Sequence, residues 1–418
     1  MKKILIVTYY YEPYNIVASR RPKSWAEYLA NHHQVTVLTR SWTGKENGIA
    51  DITIENEERS IRRDRDNLEI INIPYLKVPY QKPDKIKNKG ILKLKNYYKH
   101  FFGKYADIEF IEENFKFEIL QTIKNKEIDL VIYTCNPYLF LPLSKAIYKK
   151  TKVRYILDFR DLLSATVLKQ NLQFKEILYK KIMLIRLRRH IRYASCLITV
   201  SDPIKKILSE ITAKETYVVY NGFDEEALPG ILAKSESKEK FTLAYAGNLS
   251  PEMDIHTVLT GLTVFFKKSK PNAQVCFIGI NENYKSIIKK YEDVQFVFSE
   301  WLPHIETLSL LRQSSVLLYM GWKGYTGIVS GKIFDYLGVQ RTILLSPSDD
   351  DVLDNLISYT NAGYICNSSA EVCETVEVLY KEWEKNKEVF YRGEIKKIMA
   401  YTRNNQAKKL LEIINKAV

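Results

Sequence analysis

The sequence predicts an α/β chain built as two doubly wound units, each a parallel sheet covered by helices. Three observations point there. Short apolar runs alternate with helical patterns along most of the 418 residues. The alternation breaks over Asp224–Lys240, where Pro229, Gly230 and a Lys/Glu/Ser cluster leave no apolar period, so a linker is expected. It then restarts. The length suits two or three domains. With 46% hydrophobic and 27% charged residues, large-scale disorder is excluded.

In the first unit the expected strands are Ile4–Tyr9, Val35–Thr39, Glu69–Ile73, Leu130–Tyr133, Arg154–Asp158, Leu197–Val200 and Tyr217–Tyr220. Each is a short apolar run between polar segments. Helical patterns over Arg21–Asn31, Tyr138–Lys150 and Lys169–Arg192 separate several of them. In the second unit the strands are Phe241–Ala246, Ala273–Gly279, Val294–Phe298, Ser315–Tyr319, Thr342–Leu345 and Gly363–Ile365. Ile255, Val258, Leu259, Leu262, Phe265 and Phe266 recur at helical spacing between the first two. Helical patterns over Ala370–Phe390 and Ile395–Ala417 close the chain. Doubly wound sheets bind ligands beyond the carboxyl ends of their strands, so a cleft between the units is the expected site.

Several classes are excluded. The longest uncharged apolar stretch, Leu130–Ser144, is too short to span a bilayer and holds Pro137 and Pro142. The opening Met1–Val7 turns polar too soon for a signal peptide. The five cysteines (135, 196, 276, 366, 373) have no CxxC spacing, so a reducing cytoplasm is expected, without disulfides or zinc. No GxGxxG follows the first strand, which argues against a nicotinamide cofactor. Gly327–Lys332 departs from a phosphate-binding P-loop in glycine spacing and has Ile333 where Ser or Thr is required. Asp64-Arg65-Asp66 is a DxD in a charged stretch with no apolar strand leading in, and reads as a solvated loop. No metal-ligand spacing is present, and no nucleic-acid motif.

The charge is uneven: the net is +16 over residues 1–210 and −2 over 211–418. An anionic partner is expected for the first half. Lys82–Lys104, with eight lysines, and the basic amphipathic pattern Lys169–Arg192 are candidates for an anionic membrane surface. For the second, a solvated helix with its apolar stripe in the core is the competing reading.

Four places carry candidate chemistry. Phe241–Ala246 runs into Gly247-Asn248, a strand-turn-helix entry where free amides and a helix dipole suit a diphosphate. Lys332 and Asp335 stand three apart at the start of a helix, where a cation opposes the dipole unless an anion is bound. Asp158-Phe159-Arg160-Asp161 puts three charges at a strand's carboxyl end. Tyr10, Tyr11, Ser19, Arg20 and Arg21 offer aromatics and guanidinium groups after the first strand, suited to sugar or phosphate.

Leu197–Ser201, Val219–Asp224, Gly247-Asn248-Leu249 and Gly331–Leu337, in this order along the chain, resemble the retaining family-4 glycosyltransferases. Ile4–Pro13 and Asp158–Asp161 are similar to the branch acting in bacterial surface polysaccharide synthesis. The resemblance implies a GT-B architecture: an acceptor- and membrane-facing domain over 1–225, a nucleotide-sugar domain over 240–391, and a segment 392–418 crossing back to the first. It implies transfer from a nucleotide-diphosphate sugar to a lipid-linked glycan at the inner face of the cytoplasmic membrane. No metal or cofactor is implied. Lys332, Asp161 and Arg160 would be catalytic. Gly247, Asn248, Ser299, Trp301, Gly327, Ile328, Val329, Ser330, Gly331, Lys332 and Asp335 would hold the donor. Tyr10, Tyr11, Ser19, Arg20 and Arg21 would meet the acceptor. The chain departs from the pattern at Asn248 and Met253, where the family carries cations, and at Gly327, where it carries the first of two carboxylates. A nucleotide-sugar 2-epimerase and a non-catalytic glycan-binding member are the alternatives.

Overall fold

The computed structural model describes all residues except 15, 47–53, 76–108, 136–137, 163–164, 226–238 and 418. The expected basic segment Lys82–Lys104 lies outside the described residues. Contacts divide the chain into Met1–Tyr220 with Ala407–Val418, and Asn221–Gln406.

The first unit runs β1 (Lys3–Val7), α1 (Val17–Ala30), β2 (Gln34–Arg40), β3 (Ser60–Arg65), β4 (Leu68–Ile73), α2 (Glu109–Lys126), β5 (Leu130–Thr134), α3 (Phe140–Thr151), β6 (Arg154–Phe159), α4 (Phe174–Ile191), β7 (Cys196–Thr199), α5 (Asp202–Ile211) and β8 (Thr216–Val218). The sheet order is β3-β4-β2-β1-β5-β6-β7-β8, parallel except for β3. Central strands such as β5 are buried on both faces, which is why they read as continuous apolar runs rather than alternating ones.

Two local expectations need correction. The DxD segment is not a loop: Ser60–Arg65 is an antiparallel edge strand on β4, with Arg62 paired to Asp64 and to Glu12. Its exposed charges protect a sheet edge, so no apolar signal marked it. Helix α1 begins ahead of Arg21, because the Ser19 hydroxyl ties to the backbone of Ile16 and Pro22 sits inside the helix rather than in its first turn.

The second unit runs β9 (Phe241–Ala246), α6 (Ile255–Ser269), β10 (Ala273–Ile278), α7 (Glu282–Ile288), β11 (Phe296–Ser299), α8 (His304–Gln313), β12 (Val316–Met320), α9 (Gly331–Val339), β13 (Thr342–Ser346), α10 (Val352–Thr360), β14 (Gly363–Ile365), α11 (Ser369–Asn386), α12 (Ile395–Ile398) and α13 (Arg403–Ala417). The order is β11-β10-β9-β12-β13-β14, all parallel. Its core is drawn from β9, β10, β12, α6 and α11. From Ala407 onward α13 belongs to the first unit, where Ala407, Leu410, Ile413 and Ile414 pack with Ile4, Trp25 and Val35.

The Asn221–Asp224 motif is a clasp within the second unit. Phe223 exchanges backbone hydrogen bonds with Tyr401 and Arg403, and Arg403 pairs with Asp224 at 2.8 Å. Gly222, at φ +71°, could not carry a side chain: a Cβ would stand 2.9 Å from the Tyr401 carbonyl oxygen.

Candidate functional site

In the second unit the order of winding reverses between β9 and β12, the place where such sheets leave room for a ligand beyond their carboxyl ends. Gly247 follows β9 at φ +93°, and its amide donates to Ile278 at the end of β10. Helix α9 starts at the far side of the reversal. Its first residues bring Lys332 directly onto Gly247: a Cβ there would lie 3.3 Å from the Lys332 Nζ. The two sites read separately from the sequence are one.

The Lys332 ammonium donates to the Tyr245 hydroxyl at 2.6 Å and lies 4.0 Å from the centre of that ring. Tyr245 in turn donates to the Asn248 carbonyl at 3.0 Å, so it links lysine and turn. Among the described residues no carboxylate forms an ion pair with Lys332. Burial pulls its pKa down to about 7, and the charge of Asp335 offsets only part of that. The same burial raises the Tyr245 phenol well above its ordinary value. This is a buried amine with no ion-pair partner among the described residues, which an anionic ligand would complete.

Around it, Ser330 flanks α9 but does not cap it, because its hydroxyl is bonded to Tyr319 at 2.9 Å. The first-turn amides of α9 therefore take no side-chain cap, and the turn holds no acidic residue. Of the preceding loop, Gly327 stands at φ +73° and donates its amide to Asp351 Oδ2 at 2.8 Å. Val329 is buried and Ile328 half-buried. Asp335 faces His304 Nε2 at 3.1 Å. Ser299 ends β11, next to β10, and the exposed Trp301 just beyond it rests against Gly279. Gly247, Asn248, Ser299, Trp301, Ser330, Gly331, Lys332 and Asp335 thus gather along one edge of one sheet.

In the first unit the reversal lies between β1 and β5. Here Tyr10, Arg21, Thr134, Cys135, Asp158 and Arg160 line a small hollow. Arg160 is half-buried, and Asp161 is exposed 3.8 Å from it. Tyr10 is half-buried in an aromatic cluster with Tyr9, Tyr14 and Trp42. Arg20 is half-buried on α1. Three expected acceptor residues are corrected. Tyr11 is a core residue and Ser19 a buried helix-start bond. Arg21 is 1% exposed: it grips Asp158 with Nε at 3.0 Å and Nη2 at 2.8 Å, and Nη1 donates to the carbonyls of Val219 and Tyr220. Its guanidinium is spent on holding β6 and the end of the first unit to α1.

Sequence reasoning missed Tyr245, His304 and Asp351. Tyr245 reads only as one apolar position of a strand. The other two come from elements distant in sequence.

No family model and no curated protein matches the chain in sequence. Solved structures do match it over its whole length. HepE of Anabaena, in complex with UDP and glucose, is 12% identical over 100% of both chains with a TM-score of 0.60. The E. coli trehalose-6-phosphate protein bound with UDP-2-fluoro glucose is 9% identical over 98% of both, at 0.62. The lipopolysaccharide outer core galactosyltransferase WaaB is 12% identical over 100% of both, at 0.58. At these identities the likeness establishes the fold alone: two Rossmann-like domains, each with a mainly parallel sheet, of the GT-B class.

Proposed function

We propose that the chain is a glycosyltransferase that moves a sugar from a nucleoside-diphosphate sugar to a lipid-linked glycan, with retention of configuration, in the synthesis of a bacterial surface polysaccharide. One observation carries the donor half: Lys332, with no ion-pair partner among the described residues, sits on Gly247 at the uncapped start of α9. HepE, holding UDP and glucose, and the trehalose-6-phosphate protein, holding UDP-2-fluoro glucose, support a nucleotide donor on this fold.

In this reading the bond between the sugar's anomeric carbon and the diphosphate oxygen breaks, the acceptor oxygen takes that carbon on the same face, and its proton passes to the leaving diphosphate. Lys332 and the first-turn amides of α9 stabilise the charge gathering on the leaving diphosphate. They supply what a metal ion would otherwise supply, so no metal is required. Asp335 holds the ribose hydroxyls, and Trp301 with Ser299 meets the base. Asn248, Gly327, Ile328, Val329, Ser330 and Gly331 shape the remaining donor pocket. Arg160 and Asp161 serve the reacting sugar, and Tyr10 and Arg20 the acceptor. The protein works at the cytoplasmic face of the membrane.

The test is a panel of nucleoside diphosphates and nucleotide-sugars scored by thermal stabilisation, then labelled donors with lipid extracts. Stabilisation by one base and transfer to lipid are expected. A folded protein stabilised by no nucleotide overturns the reading, and conversion of a nucleotide-sugar to its epimer without an acceptor would replace it. Lys332→Ala is expected to lower turnover by at least about 100-fold.

A further inference from the structure

We propose that the outward face of α4 docks the first unit on an anionic phospholipid bilayer. The helix has two apolar sides. Met183, Leu187 and Ile191 are buried, with α3 packed alongside. The opposite side is not: Phe174 is 82% exposed, Leu178 51%, Ile185 56% and Ile177 40%. Stepping by four and three residues, Phe174, Leu178, Lys181, Ile185, Arg188 and Arg192 form one stripe about 27 Å long at 1.5 Å per residue. Lys175 and Arg189 border it, and all five cations are exposed. The helix has a single acidic residue, Glu176, and it is turned away from the stripe onto Lys169 Nζ and the Gln173 amide, each at 2.8 Å.

This pattern selects its occupant. Large aliphatic and aromatic side chains in water, interleaved with cations and no anions, match the boundary between acyl chains and phosphate headgroups. A second copy of the same face would set cation against cation across a two-fold axis. Nucleic-acid phosphates would leave Phe174, Leu178 and Ile185 in water. The proposal deepens the reading of a lipid-borne acceptor by naming the surface that would reach it, and it stands or falls separately from donor binding.

The full chain is to be sedimented with vesicles of phosphatidylcholine alone and of phosphatidylcholine with phosphatidylglycerol. Binding to the anionic vesicles, weakened by salt, is expected, with little to the neutral ones. Lys181→Glu with Arg188→Glu is expected to reduce it at least about 30-fold, and Phe174→Ser with Ile185→Ser to reduce it by a similar factor. Melting temperature and nucleotide binding are the controls for both variants, since these side chains are mostly exposed. Absence of binding to anionic vesicles overturns the proposal. So does binding that both variants leave unchanged, or a concentration-dependent dimer that they dissolve. If vesicles bind and no nucleotide does, the docking stands and the donor reading falls.

Discussion

The Lys332 ammonium rests 4.0 Å above the Tyr245 ring and 2.6 Å from its hydroxyl, although the two residues are 87 apart in sequence. A cation so placed has a ring quadrupole and a phenol in place of a carboxylate. Its charge is the variable through which nucleotide binding can be read.

Nucleotide affinity will depend on pH with a definite sign. In the empty site Lys332 loses its proton near pH 7. A bound diphosphate favours the charged form, so binding above that pH takes up a proton. The affinity of a nucleotide-sugar, whose esterified diphosphate does not itself titrate in this range, is therefore expected to be flat below pH 7 and to weaken above it, by up to about tenfold per pH unit. Calorimetry in two buffers of different ionisation enthalpy will report the proton uptake. Lys332→Ala should abolish both the slope and the uptake; a slope that persists would sink the assignment.

Tyr245→Phe keeps the ring under Lys332 but removes the oxygen that accepts its proton and donates to Asn248. A loss of about 1 kcal/mol in stability is expected, the net worth of one such hydrogen bond. The pH at which nucleotide binding weakens will move down, because the ammonium loses a stabilising partner. Denaturant unfolding and the pH series together distinguish this from simple loss of packing.

Gly247→Ala places a methyl 3.3 Å from the lysine nitrogen on a backbone at φ +93°. Backbone strain of about 1–3 kcal/mol is expected in unfolding experiments. Nucleotide affinity should fall as well, since Lys332 must move. Unchanged stability and affinity would mean that the turn relaxes without touching the lysine.

Arg21→Ala leaves Asp158 buried and unpaired, at an expected cost of about 3–5 kcal/mol. Arg21→Met combined with Asp158→Leu should recover much of that stability, because the charge that lost its partner is also gone. Thermal melts of the two variants provide the comparison. Equal destabilisation would indicate that the bonds from Arg21 to Val219 and Tyr220, rather than the ion pair, hold this corner.

Much of the fold was legible because its signals are local. All thirteen strands expected from apolar runs are present, and among the described residues the strand missed is β3, whose outward residues are charged. The site was half legible. Gly247, Lys332 and Asp335 stood out because a glycine after a strand and a cation opening a helix are anomalies within one segment. Tyr245 did not, because a tyrosine in a buried strand is ordinary until its neighbour is known. Arg21 misled for the converse reason: a guanidinium near a strand end reads as a ligand site until Asp158, 137 residues on, is seen to neutralise it.

By itself the sequence determined most of the strands and the longer amphipathic helices, and that two sheets would be wound from them, because periodicity and turn chemistry act over a few residues. Only the tertiary structure decided that β9 lies beside β12, so that Lys332 falls on Gly247, and that β6 puts Asp158 under α1. Strand order follows from how whole layers bury their apolar faces, and no short stretch of chain carries that information.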